Sequence, residues 1–426
     1  MSDIIGYGYP TEGPAERQEE YNRIMKEVTE KATESYHKNG PLVHNWSLEM
    51  QVAIERIREE LDFMLPHNPL LNESNFDAHM LDRAFQKMRS LESDISSKGG
   101  QYRKRFWKVE NEAIVSSADP VFDHLVQEDR DLIGKSTPRE LFTEIVASQE
   151  FLDSQKENGI DEETALSIKP LHSDEIIIVW YHGGGFYLEC PGTNRSAALD
   201  ISKETGYRLF LPDYRYMPVH PFPTPIYDGL TFFRYLVEAG FKPGNIIIAG
   251  DSAGGNLCLT IMQNLKKLNL SQPRAAILFS PWCDLSFTSD SWKRNVDFDF
   301  IPVPHFDRVT CDCRMYVAPG KKYDEKVREM LNHPLVSPLH GDYDGCAPMY
   351  IQSGEVELLV DDIDALAKKL GAKEVFIQGK DHPGIEPNQR VVYEKYAGMV
   401  HIFFLFDIPD EKYAAIKGVG NYVRSL

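Results

Sequence analysis

The chain has 426 residues, 42% of them hydrophobic, and 46 basic against 65 acidic side chains give it a formal net charge of -19. Such a composition belongs to a folded globular chain and excludes a disordered or fibrous one. The acidic excess also argues against nucleic acid or an anionic membrane surface as a partner, because both are held by clustered Lys and Arg.

The polar opening from Met1 to Glu16 has neither the basic start nor the apolar run of a secretory signal. No stretch approaches the roughly 18 apolar residues of a membrane span. Helical periodicity begins at Glu16, where Tyr21, Met25, Val28, Ala32 and Tyr36 recur at three- and four-residue steps until Gly40 and Pro41 stop the helix. A second stripe, Ile54, Ile57, Leu61 and Leu65, ends at Pro66, and a third runs through Leu81, Phe85 and Met88. These helices need a surface on which to lay their apolar faces. After Gly99 and Gly100 the pattern changes to short alternating runs from Arg105 to Val115, read as strands, and no clear period follows until Pro170.

Beyond Pro170, strand and helix signals alternate. Ile176 to Tyr181, Arg208 to Pro212, Ile246 to Ala249, Ala275 to Ser280, Met349 to Gln352 and Val391 to Tyr396 are short apolar or strand-like runs. Thr193 to Thr205, Ile226 to Ala239, Gly255 to Lys267 and Asp361 to Leu370 read as helices. Repeated strand and helix units predict an α/β fold with a mostly parallel central sheet flanked by helices. The six cysteines, Cys190, Cys258, Cys283, Cys311, Cys313 and Cys346, lack the spacing of a zinc site or a disulfide framework. The expectation is reduced thiols in a cytoplasmic protein, with no metal and no cofactor.

Three motifs carry chemistry. Ile246 to Gly255 runs from an apolar strand through Gly250-Asp251-Ser252-Ala253-Gly254 into a helix, and a turn that tight lifts the Ser252 hydroxyl above the sheet as a nucleophile. Tyr181-His182-Gly183-Gly184-Gly185-Phe186 ends another strand, and its glycines let backbone N–H groups approach a developing oxyanion. Gly183 and Gly184 are the expected donors, with the N–H of Ala253 completing the hole. His401 follows the last strand and is the candidate base, because the chain order Ser, acid, His is that of this arrangement. The acid lies among Glu355, Glu357, Asp361 and Asp362, of which one should orient the imidazole.

These motifs, in this order, resemble those of the hormone-sensitive lipase group of α/β-hydrolases, which includes many microbial carboxylesterases. His182 to Phe186 looks like its oxyanion motif, and Asp213 to Pro223 is similar to its D-Y-R-L-A-P-E-H-P-F-P segment. Gly250 to Gly254 matches its G-D-S-A-G elbow, Ser280 to Leu285 its S-P-W-x-D-L run, and Ser337 to Leu339 its S-P-L run. The resemblance covers residues 175 to 405. Counted from Gly354 it puts Glu357, in place of the usual aspartate, as the acid, with Asp361 as the alternative. It implies a serine carboxylesterase acting on a small-molecule ester, and the pairing of two copies through the sheet edge into a homodimer.

The same triad serves an amidase or deacetylase, and the same fold serves non-catalytic ligand receptors that lack the histidine. Two departures stand out: an extended segment from Gly371 to Gln389 and a long amino-terminal region. Residues 1–104 are expected to form a mainly helical cap over a hydrolase core of residues 105–426, with 287–331 contributing to the cap.

Overall fold

A run such as Ile246-Ile247-Ile248-Ala249 has no polar face, so it is stable only as a strand covered on both sides. In the computed structural model, which describes residues 15–64, 71–90, 92–386 and 389–426, it lies near the middle of a sheet that has nine strands among those residues. These are β1 (Gly100–Lys108), β2 (Glu140–Ser148), β3 (Ile177–Tyr181), β4 (Leu209–Pro212), β5 (Ile246–Asp251), β6 (Ala275–Phe279), β7 (Met349–Gly354), β8 (Glu374–Ile377) and β9 (Val391–Tyr396). Their spatial order is β1-β2-β4-β3-β5-β6-β7-β9-β8. The pairings of β2 with β1 and β4 are antiparallel, and every other pairing is parallel.

Alternate residues of each central strand serve opposite cores. Ile177, Val179 and Tyr181 share one core with Ile246 and Ile248 and with the helices Thr224–Glu238, Ala253–Lys267 and Val360–Lys369. Ile178, Trp180, Ile247 and Ala249 share the other with the helices Arg195–Thr205 and Glu411–Ser425. The register brings the carboxyl ends into line: Tyr181 is opposite Gly250, Asp251 opposite Phe279, Phe279 opposite Gln352, and Gly354 opposite Tyr396. The loops after β3, β5, β7 and β9 therefore leave one edge of the sheet together, where open α/β sheets bind ligands.

The amino-terminal stripes form α1 (Ala15–Asn39), α2 (Leu48–Met64) and α3 (Ala78–Arg89). Met50, Ile54 and Ile57 of α2 enter the second core. Just before α2, the Trp46 indole donates to the carbonyl of Gly398 at 2.6 Å and Asn45 to that of Ala397 at 2.8 Å, which pins the region beside the loop that follows β9. α3 begins at Asp77, whose carboxylate accepts the Met80 N–H, and buries Leu81 and Phe85, with the Phe85 ring 4.5 Å from that of Tyr187. Leu65 and Pro66 of the second predicted stripe, and Met1 to Pro14 of the opening, lie outside the described residues.

Several expectations shift. The strand predicted for Arg105 to Val115 starts earlier and ends at Lys108. The sheet thus claims Gly100 to Lys104, and a boundary at 104/105 would cut β1. Gly100 is drawn in because it pairs with Ser148 and packs on Leu199, where a Cβ would fall 2.6 Å from a leucine methyl. The Gly371–Gln389 segment contributes β8, an edge strand on β9, and then His382, whose buried ring bonds Glu394 at 2.7 Å. Between 287 and 331 only short helices form, Ser291–Arg294, Asp312–Val317 and Glu325–Leu331. No helix among the described residues is long and apolar enough to cross a membrane.

Candidate active site

The turn after β5 shows why its glycines are required. A Cβ at Gly250 would stand 2.4 Å from the Gly254 carbonyl, and one at Gly254 would stand 1.8 Å from the Tyr181 carbonyl oxygen. Ser252 between them has φ 50° and ψ -115°, a conformation that costs a non-glycine residue about 1–3 kcal/mol. Its own backbone offsets that cost, since Ser252 N–H donates to Phe279 O and Ser252 O accepts from Trp282 N–H, each at 2.9 Å. The side chain stands at the start of the helix Ala253–Lys267, where the dipole favours negative charge.

His401 lies in the loop after β9, with its ring 97% buried. Its Nδ1 is 2.9 Å from Glu357 Oε2 in the loop after β7, and Glu357 Oε1 accepts the Gly354 N–H at 3.1 Å. Asp361 is engaged elsewhere, taking the Ser291 N–H at 2.8 Å and an ion pair with Arg294 at 2.5 Å. Glu355 accepts the Gly398 N–H. Of the acids named from the sequence as first choice and alternative, Glu357 is the one that reaches the imidazole. Burial pulls His401 down to about 4, opposed by the carboxylates of Asp299 and Glu189. Burial pushes Glu357 up, opposed by the Ser280 hydroxyl and the Gly354 N–H.

Ser252 and His401 open onto one cavity of about 180 Å3. No hydrogen bond joins them among the described residues; contacts of this kind tighten when substrate binds. Gly184 and Gly185 line the same cavity, whereas Gly183 does not. Gly183 packs instead on the Asp251 carboxylate, where a Cβ would fall 2.2 Å from Oδ2. Of the expected donors, Gly184 lies on the cavity wall beside Gly185, whereas Gly183 lies against Asp251. The N–H groups of Gly184, Gly185 and Ala253 have no protein acceptor among the described residues. Gly184 and Gly185 both take left-handed backbone, with φ of 78° and 59°, which favours glycine at each. His182 is buried in a stack on Tyr214, with ring centroids 4.3 Å apart.

The cavity wall comes from distant parts of the chain. Ile57, Glu60 and Leu61 of α2 and Met88 of α3 face Trp282, Phe287, Trp292 and Phe300 to Pro302. Arg58 of α2 ties the two sides, donating to Asp299 O at 2.6 Å and Asp297 O at 3.0 Å, and Arg89 of α3 donates to Tyr187 O at 2.8 Å. Neither Glu189, on the wall, nor Asp299, beside His401, was identified from the sequence. Each lies outside every motif quoted above, with no periodic or spacing signal to single it out. Among the described residues, no group of three or more His, Cys, Asp or Glu is arranged to hold a metal ion.

Residues 178–405 match the model of a family described by its alpha/beta hydrolase fold. An acetyl-hydrolase of Streptomyces hygroscopicus is 28% identical over 265 residues, 62% of this chain and 80% of that protein. An esterase of Acinetobacter venetianus is 30% identical over 261 residues, 61% of this chain and 78% of that protein. The crystal structure of an esterase from the bacterial hormone-sensitive lipase family superposes with a TM-score of 0.58 at 23% identity, covering 89% of this chain and 98% of that one, which establishes likeness of fold.

Proposed function

The chain belongs to the α/β-hydrolase family, and from that membership we propose that it is a serine esterase that cleaves a carboxylic ester through an acyl-Ser252 intermediate. The observation that carries this reading is the bond from His401 Nδ1 to Glu357 on an imidazole that shares one cavity with Ser252. Glu357 holds the tautomer with its proton on Nδ1, which leaves Nε2 as the base and stabilises the imidazolium once it forms. His401 takes the Ser252 proton as the oxygen attacks the carbonyl, then passes it to the leaving alkoxide. The N–H groups of Gly184, Gly185 and Ala253 receive the oxyanion. Water deprotonated by the same imidazole then releases the acid from the acyl-serine.

The relative named as an esterase supports an ester over an amide as substrate, and the one named as an acetyl-hydrolase supports a short acyl group. In this reading α2, α3 and the 287–331 segment act together as the cap, because they supply much of the wall facing Ser252. Replacement of Ser252 by Ala is expected to lower p-nitrophenyl acetate hydrolysis by on the order of 10,000-fold or more and to abolish labelling by a fluorophosphonate probe. Undiminished labelling would move the nucleophile to another residue. A panel of p-nitrophenyl esters set against acyl anilides separates esterase from amidase.

A further inference from the structure

We propose that Asp299 is a positioning residue for the catalytic base: its carboxylate clamps together the two loops that carry His401 and Glu357, and keeps a negative charge beside the imidazole. The proposal rests on the assignment of Ser252, Glu357 and His401 made above. Asp299 Oδ1 accepts the N–H of His401 at 3.2 Å and of Phe300 at 2.9 Å. Oδ2 accepts the N–H of Leu358, the residue after Glu357, at 2.7 Å. One side chain thus spans the loop after β9 and the loop after β7. Its neighbours reinforce the grip on the second loop, with Asn295 Nδ2 donating to Glu357 O at 2.9 Å and Ser291 Oγ to Leu358 O at 2.6 Å.

Asp299 is 1% exposed, and a carboxylate buried that deeply is costly unless it is hydrogen-bonded and neutralised. Three N–H donors meet the first need. The second is met by no arginine, because Arg58 bonds the Asp299 carbonyl oxygen and leaves the carboxylate alone. The charged groups that face the carboxylate are His401 and Glu357, and those that face the imidazole are Glu357, Asp299 and Glu189. The cation that would balance Asp299 is the imidazolium formed when His401 takes the serine proton. A fixed charge aimed at a charge that appears only during reaction is electrostatic preorganisation.

Burial pushes Asp299 up to about 6 and pulls His401 down to about 4. The support exists only while Asp299 is ionised, so it is lost as pH falls through about 6, before the imidazole itself takes a proton from solvent. The test uses the full-length enzyme, with every rate referred to sites titrated by a fluorophosphonate. Ser252-dependent labelling and turnover in the wild type secure the underlying reading independently of any result at Asp299.

Asp299→Asn keeps the volume and removes the charge. It is expected to lower kcat on a p-nitrophenyl ester by on the order of 10- to 100-fold, to leave KM within about twofold, and to move the acid limb of the kcat/KM profile to lower pH. Asp299→Glu, which retains the charge, is expected to keep the acid limb near its wild-type position. An acid limb unmoved in the asparagine variant, or KM and kcat changing together, would show that Asp299 is only structural and overturn the proposal. If the asparagine variant does not fold, Asp299→Ser, smaller and equally uncharged, takes its place in the same comparison: an acid limb moved to lower pH with KM kept supports the proposal, and an unmoved limb overturns it.

Discussion

The nucleophile turn and the cavity wall meet at Ser252 and are specified in opposite ways. The turn is set by backbone crowding, of Gly250 against Gly254 and of Gly254 against the Tyr181 carbonyl on the neighbouring strand, which leaves no room for any other side chain. The wall is assembled from α2, α3 and the 287–331 segment, pieces far apart in sequence that are docked by apolar packing and by Arg58 and Arg89 reaching across to carbonyl oxygens. A site fixed by backbone contacts tolerates almost no substitution. One fixed by docked side chains can be retuned piece by piece, so the first kind should govern rate and the second selectivity.

Four measurements would break or sharpen that contrast. Gly254→Ala should be the most damaging, since a methyl 1.8 Å from the Tyr181 carbonyl oxygen forces backbone movement. We expect a loss of at least about 3 kcal/mol of stability in chemical denaturation together with loss of fluorophosphonate labelling. An alanine variant that folds and labels normally would refute the crowding argument. Next, Glu357→Gln should lower kcat by on the order of 1,000- to 10,000-fold, as wrong-tautomer variants of such triads do. Asp361→Asn should change it by less than about tenfold, because Asp361 binds Ser291 and Arg294 instead. The reverse ranking in steady-state kinetics would transfer the acid to Asp361.

On the wall, Ile301→Ala should cut kcat/KM on a longer acyl ester by about 10-fold, a loss of order 1–3 kcal/mol of apolar contact, while altering acetate hydrolysis by no more than about threefold. Equal losses on both esters would mean that the residue shapes the protein more than the pocket. The smallest effect is expected for Arg58→Ala, which frees α2 from the carbonyls of Asp297 and Asp299. Acyl-length preference should flatten by a few fold with the acetate rate nearly kept. A variant with unaltered preference would detach α2 from any part in selectivity.

The same division explains what was legible. The strands around Ile177–Tyr181 and Ile246–Asp251 are apolar on both faces, so their type and place could be read directly. β2 could not, since Thr143 and Glu144 interrupt its apolar pattern. Glu144 is tolerated in the interior because Arg195, from a helix some fifty positions on, bonds its carboxylate at 2.5 and 2.6 Å. β8 was hidden for a different reason, being a short edge strand with Phe376 half exposed and no alternation to reveal it.

By itself the sequence determined the fold class, the Ser252 turn, the glycine loop after β3 and the place of His401. Each of these carries a local signal, an apolar run or a glycine pattern that reflects steric limits on the backbone, even where the crowding comes from a neighbouring strand. The tertiary structure alone decided which carboxylate reaches the imidazole, which two glycines face the cavity, and that Asp299 stands behind the base. Those outcomes depend on ångström-scale distances between loops brought together by the sheet register, and no local pattern encodes such a distance.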